Sequence, residues 1–320
     1  MVETLLSQQF CYTFFEDRKM VGPMERIELS AKTSMTEDGI TTVSDMIAAA
    51  VAMQHKAIAI CDRDNIQAYP KIFETLTVLK EKMAAKGKAL DFKVIFGVEV
   101  NVLDDELKNR QNPICSGYFD YSVVLLLKSW QRGNVIRELL SEAIVDDDHG
   151  YPVILKSNIE RNRENLLVGA AGDMGELWLE LVLGGDDATV AREMAFYDYV
   201  ELIPSQYLKH WVVSEEPRLA HSIEEIQIRQ KRLLAIAKQQ GKPVVATNHP
   251  SLLTDEELVD RANLIYRTHK GFGDAEYPLF LLTTQDMQEQ LGYLEAEDVR
   301  KMVIDNPHKL ADMCVDFIRR

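Results

Sequence analysis

The chain has 320 residues, with 36 Lys+Arg against 51 Asp+Glu, a formal charge of −15, and 46% hydrophobic residues. That length supports one large domain or two modest ones with a sizeable core. The acid excess argues against a general nucleic-acid sheath, because phosphate backbones are bound mainly by Lys and Arg neutralising charge. Four cysteines (Cys11, Cys61, Cys115, Cys314) stand far apart with no CxxC pair, which leaves thiolate metal sites and dense disulfide scaffolds without support. Glu3 sits where a signal peptide would be basic, and apolar stretches such as Met46–Met53 fall far short of the ~20 residues a membrane span needs. The expectation is a reduced, cytoplasmic chain with no membrane contact.

In chain order, residues 1–23 carry an aromatic cluster (Phe10, Tyr12, Phe14, Phe15) without a strong period and are read as an N-terminal appendage. Residues 24–320 form one domain. Its strands are expected at Arg26–Ser30, Ala57–Cys61, Phe92–Val102, Ser122–Leu127, Leu166–Ala171, Tyr199–Ile203 and Pro243–Thr247. Most are continuous apolar runs, as strands covered on both faces require. Helical patterns alternate with them, the rhythm of βα units around a mainly parallel sheet. Ser222 with Glu225 is a capping box opening a helix that should stop at Gly241, and Thr254 with Glu257 repeats the device. Asn306-Pro307 reads as the N-cap and first position of the last helix. Leu103–Gly117 is polar, contains Pro113 and Gly117, and is a surface loop between two strands. Seven strands with intervening helices point to an α/β barrel.

In such a barrel, functional side chains collect at the C-terminal ends of the strands. Those ends carry Ser30-Ala31-Lys32-Thr33, Cys61-Asp62-Arg63-Asp64-Asn65, Glu99, Ser122, Gly172-Asp173 and Asn248-His249-Pro250-Ser251. RIELSAKTSMTEDG, HKAIAICDRDN and KVIFGVEVNVLDD, followed in order by LLVGAAGDMGE, PVVATNHPSLL and VIDNPHKLADM, resemble the PHP domain of PolC-type DNA polymerase III alpha subunits. The resemblance runs from about Glu25 to the C-terminus. It implies a distorted seven-stranded, TIM-like βα barrel of the PHP type. Leu103–Gly117 falls where those polymerases carry an inserted exonuclease, so the chain resembles a PHP domain without the insert and without the polymerase.

Active PHP domains bind a metal cluster through converging His and carboxylate ligands and hydrolyse phosphoesters, since metals activate water and clamp phosphate. Carried over residue by residue, the family's His-x-His is Ser30 and Lys32 here, and its Asp-His is Asp62 and Arg63. The third-strand Glu is kept as Glu99, a His is replaced by Ser122, and a Cys by Gly172. The last Asp-x-His is His249 and Ser251. Asp62 and Glu99 keep their family identity, while Lys32 and Arg63 bring two positive charges to offset them. The expectation is an ion-pair and hydrogen-bond cluster in place of the metals. The function expected is non-catalytic, structural or protein-binding, with a partner in the replication machinery, no cofactor and no strong direct nucleic-acid binding.

Two rivals remain open. One is a metal-dependent phosphoesterase or 3′–5′ exonuclease using Asp62, Glu99 and His249 with Mn or Zn. The other is a phosphate or nucleotide sensor built on Lys32 and Arg63. Outside the strand ends, Asp146–Asp148 with His149 reads as a solvated turn and Gly184–Asp187 as a turn before a helix. Lys86, Lys88 and Lys93 span a helix end and a strand and are a weak nucleic-acid signal.

Overall fold

A computed structural model describes residues 26–37, 39–105, 120–129, 134–144, 151–213, 220–269 and 279–315. The strands are β1 (Ile27–Ala31), β2 (Ala57–Ile60), β3 (Lys93–Leu103), β4 (Asp120–Leu127), β5 (Val153–Leu155), β6 (Leu166–Ala170), β7 (Tyr199–Leu202) and β8 (Val244–Ala246). All seven strands expected from the sequence are present, and β5 is an addition. Its three residues follow segment 145–150, which lies outside the described residues, and they are too few to show a period.

The strands form one curled sheet ordered β1-β2-β3-β4-β6-β7-β8, with β5 paired to the far end of β3. Neighbours run parallel except at β4, which is antiparallel to both β3 and β6. One reversed strand is what a barrel read as uniform βα units misses. It also brings the start of β4, rather than its end, to the rim formed by the C-terminal ends of the other strands.

Between β1 and β8 the described contacts are side-chain and loop hydrogen bonds instead of a ladder. Arg26 Nη1 donates to the Ala246 carbonyl at 3.2 Å, the Thr247 hydroxyl donates to Glu28, and the Lys32 N–H donates to the Pro250 carbonyl at 2.8 Å. Glu28 is fully buried and is held by Arg26 and by the Ser30 N–H at 3.0 Å. A buried carboxylate persists only with such partners, because desolvating it alone is costly.

Two apolar clusters flank the sheet. The smaller lies inside the curl, where Leu29, Ala59, Ile95, Leu126, Leu167 and Tyr199 meet, and the larger packs the helices against the outside. Small residues set the inner dimensions. A Cβ on Gly169 would stand 2.3 Å from the Tyr199 ring, so glycine at that position makes room for the tyrosine.

Two helix starts take the cap residue their sequences predict but not the full box. Glu225 accepts from the His221 N–H at 2.7 Å and Glu257 from the Leu253 N–H at 2.6 Å, one residue before each cap. The Ser222 hydroxyl accepts from Glu225 N–H at 3.2 Å, the helix spans Ile223–Gln239, and Gly241 closes it at φ +66°. Thr254 accepts from the Glu257 N–H, also at 3.2 Å, at the head of Asp255–His269. Asn306 departs from expectation. Helix Ala296–Arg300 continues through a π-turn at Lys301–Asp305 into Asn306–Met313, so Asn306 lies inside a helical run. Its amide donates to the Val244 carbonyl at 2.8 Å and ties that run to the start of β8. Pro307 is tolerated because the π-turn relaxes the hydrogen-bond ladder before it. The proposed appendage (1–23), most of loop 103–117 and Asp146–His149 lie outside the described residues.

Candidate functional site

The C-terminal ends of β1, β2, β3, β7 and β8 bring five expected residues together. Glu99, on β3, is 2% exposed and is the hub. Lys32 Nζ lies 2.6 Å from Glu99 Oε2, Arg63 Nη2 lies 3.2 Å from Glu99 Oε1, and His249 Nδ1 lies 3.7 Å from Oε2. Three cationic or protonatable groups therefore converge on one carboxylate. Burial works against ionising Glu99, but Lys32, then Arg63 and His249, hold its carboxyl well below the usual range. Lys32 answers in kind. Burial, the largest influence, would lower its pKa, yet the Glu99 charge, Cys61 and the hydrogen bond to Glu99 together leave it raised.

Lys32 spends its remaining donors on the protein. Nζ donates to the Cys61 carbonyl at 2.6 Å and to the Ser30 hydroxyl at 3.4 Å. Two of the ammonium's three donors are thus taken by these oxygens, while its charge faces Glu99. Arg63 differs, since its side chain is 51% exposed and its guanidinium reaches Glu99 from the solvent side.

Among the described residues Asp62 pairs with no cation. It accepts from Thr33 N–H at 2.6 Å, the Thr33 hydroxyl at 2.8 Å and the Thr36 hydroxyl at 2.9 Å. These donors belong to the turn after β1, so Asp62 ties the β1 turn to the end of β2. The two positive charges thus concentrate on Glu99 instead of being shared between the two carboxylates.

The residue sequence reading missed is Glu201, on β7. It is 1% exposed, and His249 Nε2 lies 2.7 Å from its Oε2. Burial raises the Glu201 pKa, with His249 pulling in the opposite direction. Burial would lower the His249 pKa, but its hydrogen bond to Glu201 and the charge behind it leave that pKa raised. A glutamate inside the apolar run YVELI was the available signal, because a charge in a strand covered on both faces must have a buried partner. His249 itself is held at φ +48°, and Asp64, across the rim, at φ +56°. Non-glycine residues in this region are uncommon and concentrate at functional sites. Burial raises the Asp64 pKa to about 6, and Asn101 Nδ2 donates to it at 3.2 Å.

The other positions that match family ligands are filled by packing. Gly172 faces Ile203, and a Cβ there would lie 2.3 Å from Ile203 Cδ1, so a side chain at this position requires Ile203 to move aside. The Ser122 N–H donates to the Met174 carbonyl at 2.8 Å. Ser251 accepts the Thr41 hydroxyl on its carbonyl at 3.0 Å, and its own hydroxyl has no partner among the described residues. Beyond this ring, His210 Nε2 stands 3.5 Å from Asp173 Oδ2.

Metal binding needs deprotonated donors facing a common point. Here the Glu99 carboxylate faces an ammonium and a guanidinium, Asp62 already accepts three hydrogen bonds from the β1 turn, and the Ile203 side chain lies against Gly172. Among the described residues no three His, Cys, Asp or Glu side chains are arranged to hold a metal ion. The residues present do not fit the family's metal cluster.

The PHP domain family matches residues 28–209, more than half of the sequence and every strand from β1 to β7. The chain belongs to the PHP domain family. Its curated relatives include the PolC-type DNA polymerase III of Clostridium perfringens, 31% identical over 60% of this chain and 13% of the polymerase. That of Caldanaerobacter subterraneus is 27% identical over 73% of this chain and 16% of the polymerase. The match therefore spans only a small part of those polymerases. A candidate metal-dependent phosphoesterase from Bifidobacterium adolescentis covers 94% of this chain and 100% of its own at 12% identity. With a TM-score of 0.36, that superposition is too loose to compare the two sites. No helix among the described residues is long and apolar enough to cross a membrane.

Proposed function

We propose that this PHP domain is a structural or protein-binding module, with a role linked to DNA replication, whose rim has exchanged metal ligands for an internally neutralised polar network. The observation that carries this reading is the Lys32 ammonium, 2.6 Å from Glu99 and equally close to the Cys61 carbonyl. It supplies, from within the chain, positive charge of the kind that metal ions bring to the family's kept glutamate. The contact of Ile203 with Gly172 supports the same reading from packing. The replication link rests on the similarity to PolC-type polymerases alone.

Hydrolysis is the direct test. The purified protein, supplied with Mn or Zn, is assayed on bis(p-nitrophenyl) phosphate and on a 3′-labelled single-stranded oligonucleotide. No turnover above buffer is expected. Cleavage that disappears in both Asp62→Asn and Glu99→Gln, with folding verified by circular dichroism, would establish a reduced metal site and sink the reading.

A second reading, phosphate or nucleotide sensing, draws on the half-exposed Arg63 at the rim. It requires a rise in melting temperature with phosphate or nucleotides that Arg63→Ala removes.

A further inference from the structure

Strand β5 (Val153–Leu155) and the helical turn Lys156–Glu160 form a short strap. β5 pairs with Asn101–Leu103 of β3, and Ile154 and Ile159 bury their side chains in the larger apolar cluster. Ser157 adds two hydrogen bonds to Asp105, from its N–H at 3.0 Å and its hydroxyl at 2.7 Å.

Lys156 joins this strap to two helices. Its ammonium lies 3.4 Å from Glu176, which opens helix Glu176–Val182. It lies 3.6 Å from both Glu193, on helix Asp187–Met194, and Asp104, just past β3. Nζ also sits 4.7 Å over the Phe196 ring. Three carboxyl groups thus share one ammonium. The Asp104 and Glu193 side chains are 25% and 23% exposed, and Glu193 also meets Arg192 at 3.1 Å. Water therefore helps those two to ionise. The Glu176 side chain is only 6% exposed, and a third negative charge in the driest of the three positions is costly. Its other neighbours are phenols. The Tyr197 hydroxyl donates to Oε2 at 2.9 Å, and the buried Tyr121 hydroxyl, facing the same carboxyl, has no hydrogen-bond partner among the described residues. Burial, the largest influence, raises the Glu176 pKa to about 7, with Lys156 opposing and Glu193 reinforcing it.

We propose that Glu176 and Lys156 form a proton-operated latch: protonated Glu176 keeps the strap Val153–Glu160 seated, and loss of that proton loosens it. Opening moves Lys156 away and wets Glu176, whose pKa then falls toward the ordinary 4.5. Between about 4.5 and 7 the seated form binds more protons than the open one. Its advantage is full at acid pH and is lost as pH rises through that window. Loosening unpairs the outer edge of β3 at Asn101–Leu103, and an unpaired edge is a template for strand addition by another chain. The strap also borders the rim, since Asn101 pairs with Val153 and donates to Asp64. The latch uses none of the rim's charged residues and stands whether or not the rim hydrolyses phosphoesters.

Hydrogen exchange on the full chain between pH 5 and 8, corrected for the chemical exchange rate, tests the latch. Protection of the amides in Val153–Glu160 should fall by up to about tenfold per pH unit from pH 5 to 7 and then level off. The β2 amides, Ala57–Ile60, should not follow. Glu176→Gln, which cannot ionise, should hold the strap's protection flat across the range. Lys156→Met should move the fall to higher pH, because the ammonium favours the carboxylate. Strap protection that ignores pH in the parent would overturn the proposal. So would a fall that persists in Glu176→Gln, or one that β2 shares. Should Glu176→Gln fail to fold, carboxyl-carbon NMR of the glutamate-labelled parent decides. One glutamate must titrate near pH 7 with a midpoint that rises in Lys156→Met, and the absence of such a group would overturn the latch.

Discussion

The two ends of this barrel handle charge in opposite ways. At the rim, Lys32, Glu99, Glu201 and His249 are drawn inward, almost fully buried, and paired with one another. At the opposite end, Lys56 meets Asp91 in solvent at 3.5 Å, and Lys86 and Lys88 are exposed in the turn after helix Ala68–Ala85. The buried set is bound into the fold, so removing one member leaves another uncompensated. The exposed set contributes little to folding. Barrel packing does not depend on metal ligands, so the fold persists whatever the rim binds.

The contrast breaks most visibly at Lys32. Lys32→Met leaves Glu99 buried with only Arg63 and His249 nearby, and should destabilise the protein by about 3–5 kcal/mol in urea unfolding. Adding Glu99→Gln should recover part of that loss, since the double variant holds no orphaned charge. If the single variant is neutral, the rim network is decorative. Gly172→Cys probes packing at the same end. The new side chain must displace Ile203, with an expected cost of about 1–3 kcal/mol that Ile203→Ala relieves.

Acidity should separate the two ends through two histidines whose pKa values move in opposite directions. His55, just before β2, is 3% exposed and donates from Nε2 to the Leu282 carbonyl at 3.0 Å. Burial, reinforced by the charge of Arg26, lowers its pKa to about 3. A depressed imidazole makes the unfolded chain the better proton binder, so this end loses stability as pH falls from about 6.5 toward 3. His249 has a raised pKa. Its contribution is complete below the unfolded value near 6.5 and is lost as pH rises through the folded value. His55→Asn should flatten the acid limb of the stability profile and His249→Asn the alkaline limb. Each slope is at most about 1.4 kcal/mol per pH unit. Both variants flattening the same limb would contradict the assignment. The smallest effect belongs to Lys56→Glu/Lys88→Glu, whose unfolding free energy should stay within about 0.5 kcal/mol of the parent.

Much of this was legible in the sequence because strands covered on both faces are apolar throughout. Runs such as KAIAI and YSVVLLL announce themselves without homologues, and the strand-end rule then gathers Lys32, Asp62, Arg63, Glu99 and His249. What stayed hidden depended on pairing across the chain. The reversal of β4 leaves no periodic trace, and β5 is too short to have one. Glu201 lies in the middle of a strand, where apolar neighbours make it look like core, and its role emerges only once β8 places His249 against it. The division of labour between the kept carboxylates was equally invisible. Composition balances Asp62 and Glu99 against Lys32 and Arg63, but whether each acid takes a cation or a hydroxyl depends on the Thr33 and Thr36 turn.

The central claim is that the rim's positive charge comes from the chain itself, and metal stoichiometry tests it most directly. The protein would be equilibrated with Mn or Zn, desalted, and examined by native mass spectrometry alongside elemental analysis. The account predicts the mass of the bare chain and no stoichiometric metal, unchanged in Glu99→Gln. One or more tightly held ions per chain, lost in Glu99→Gln, would contradict it.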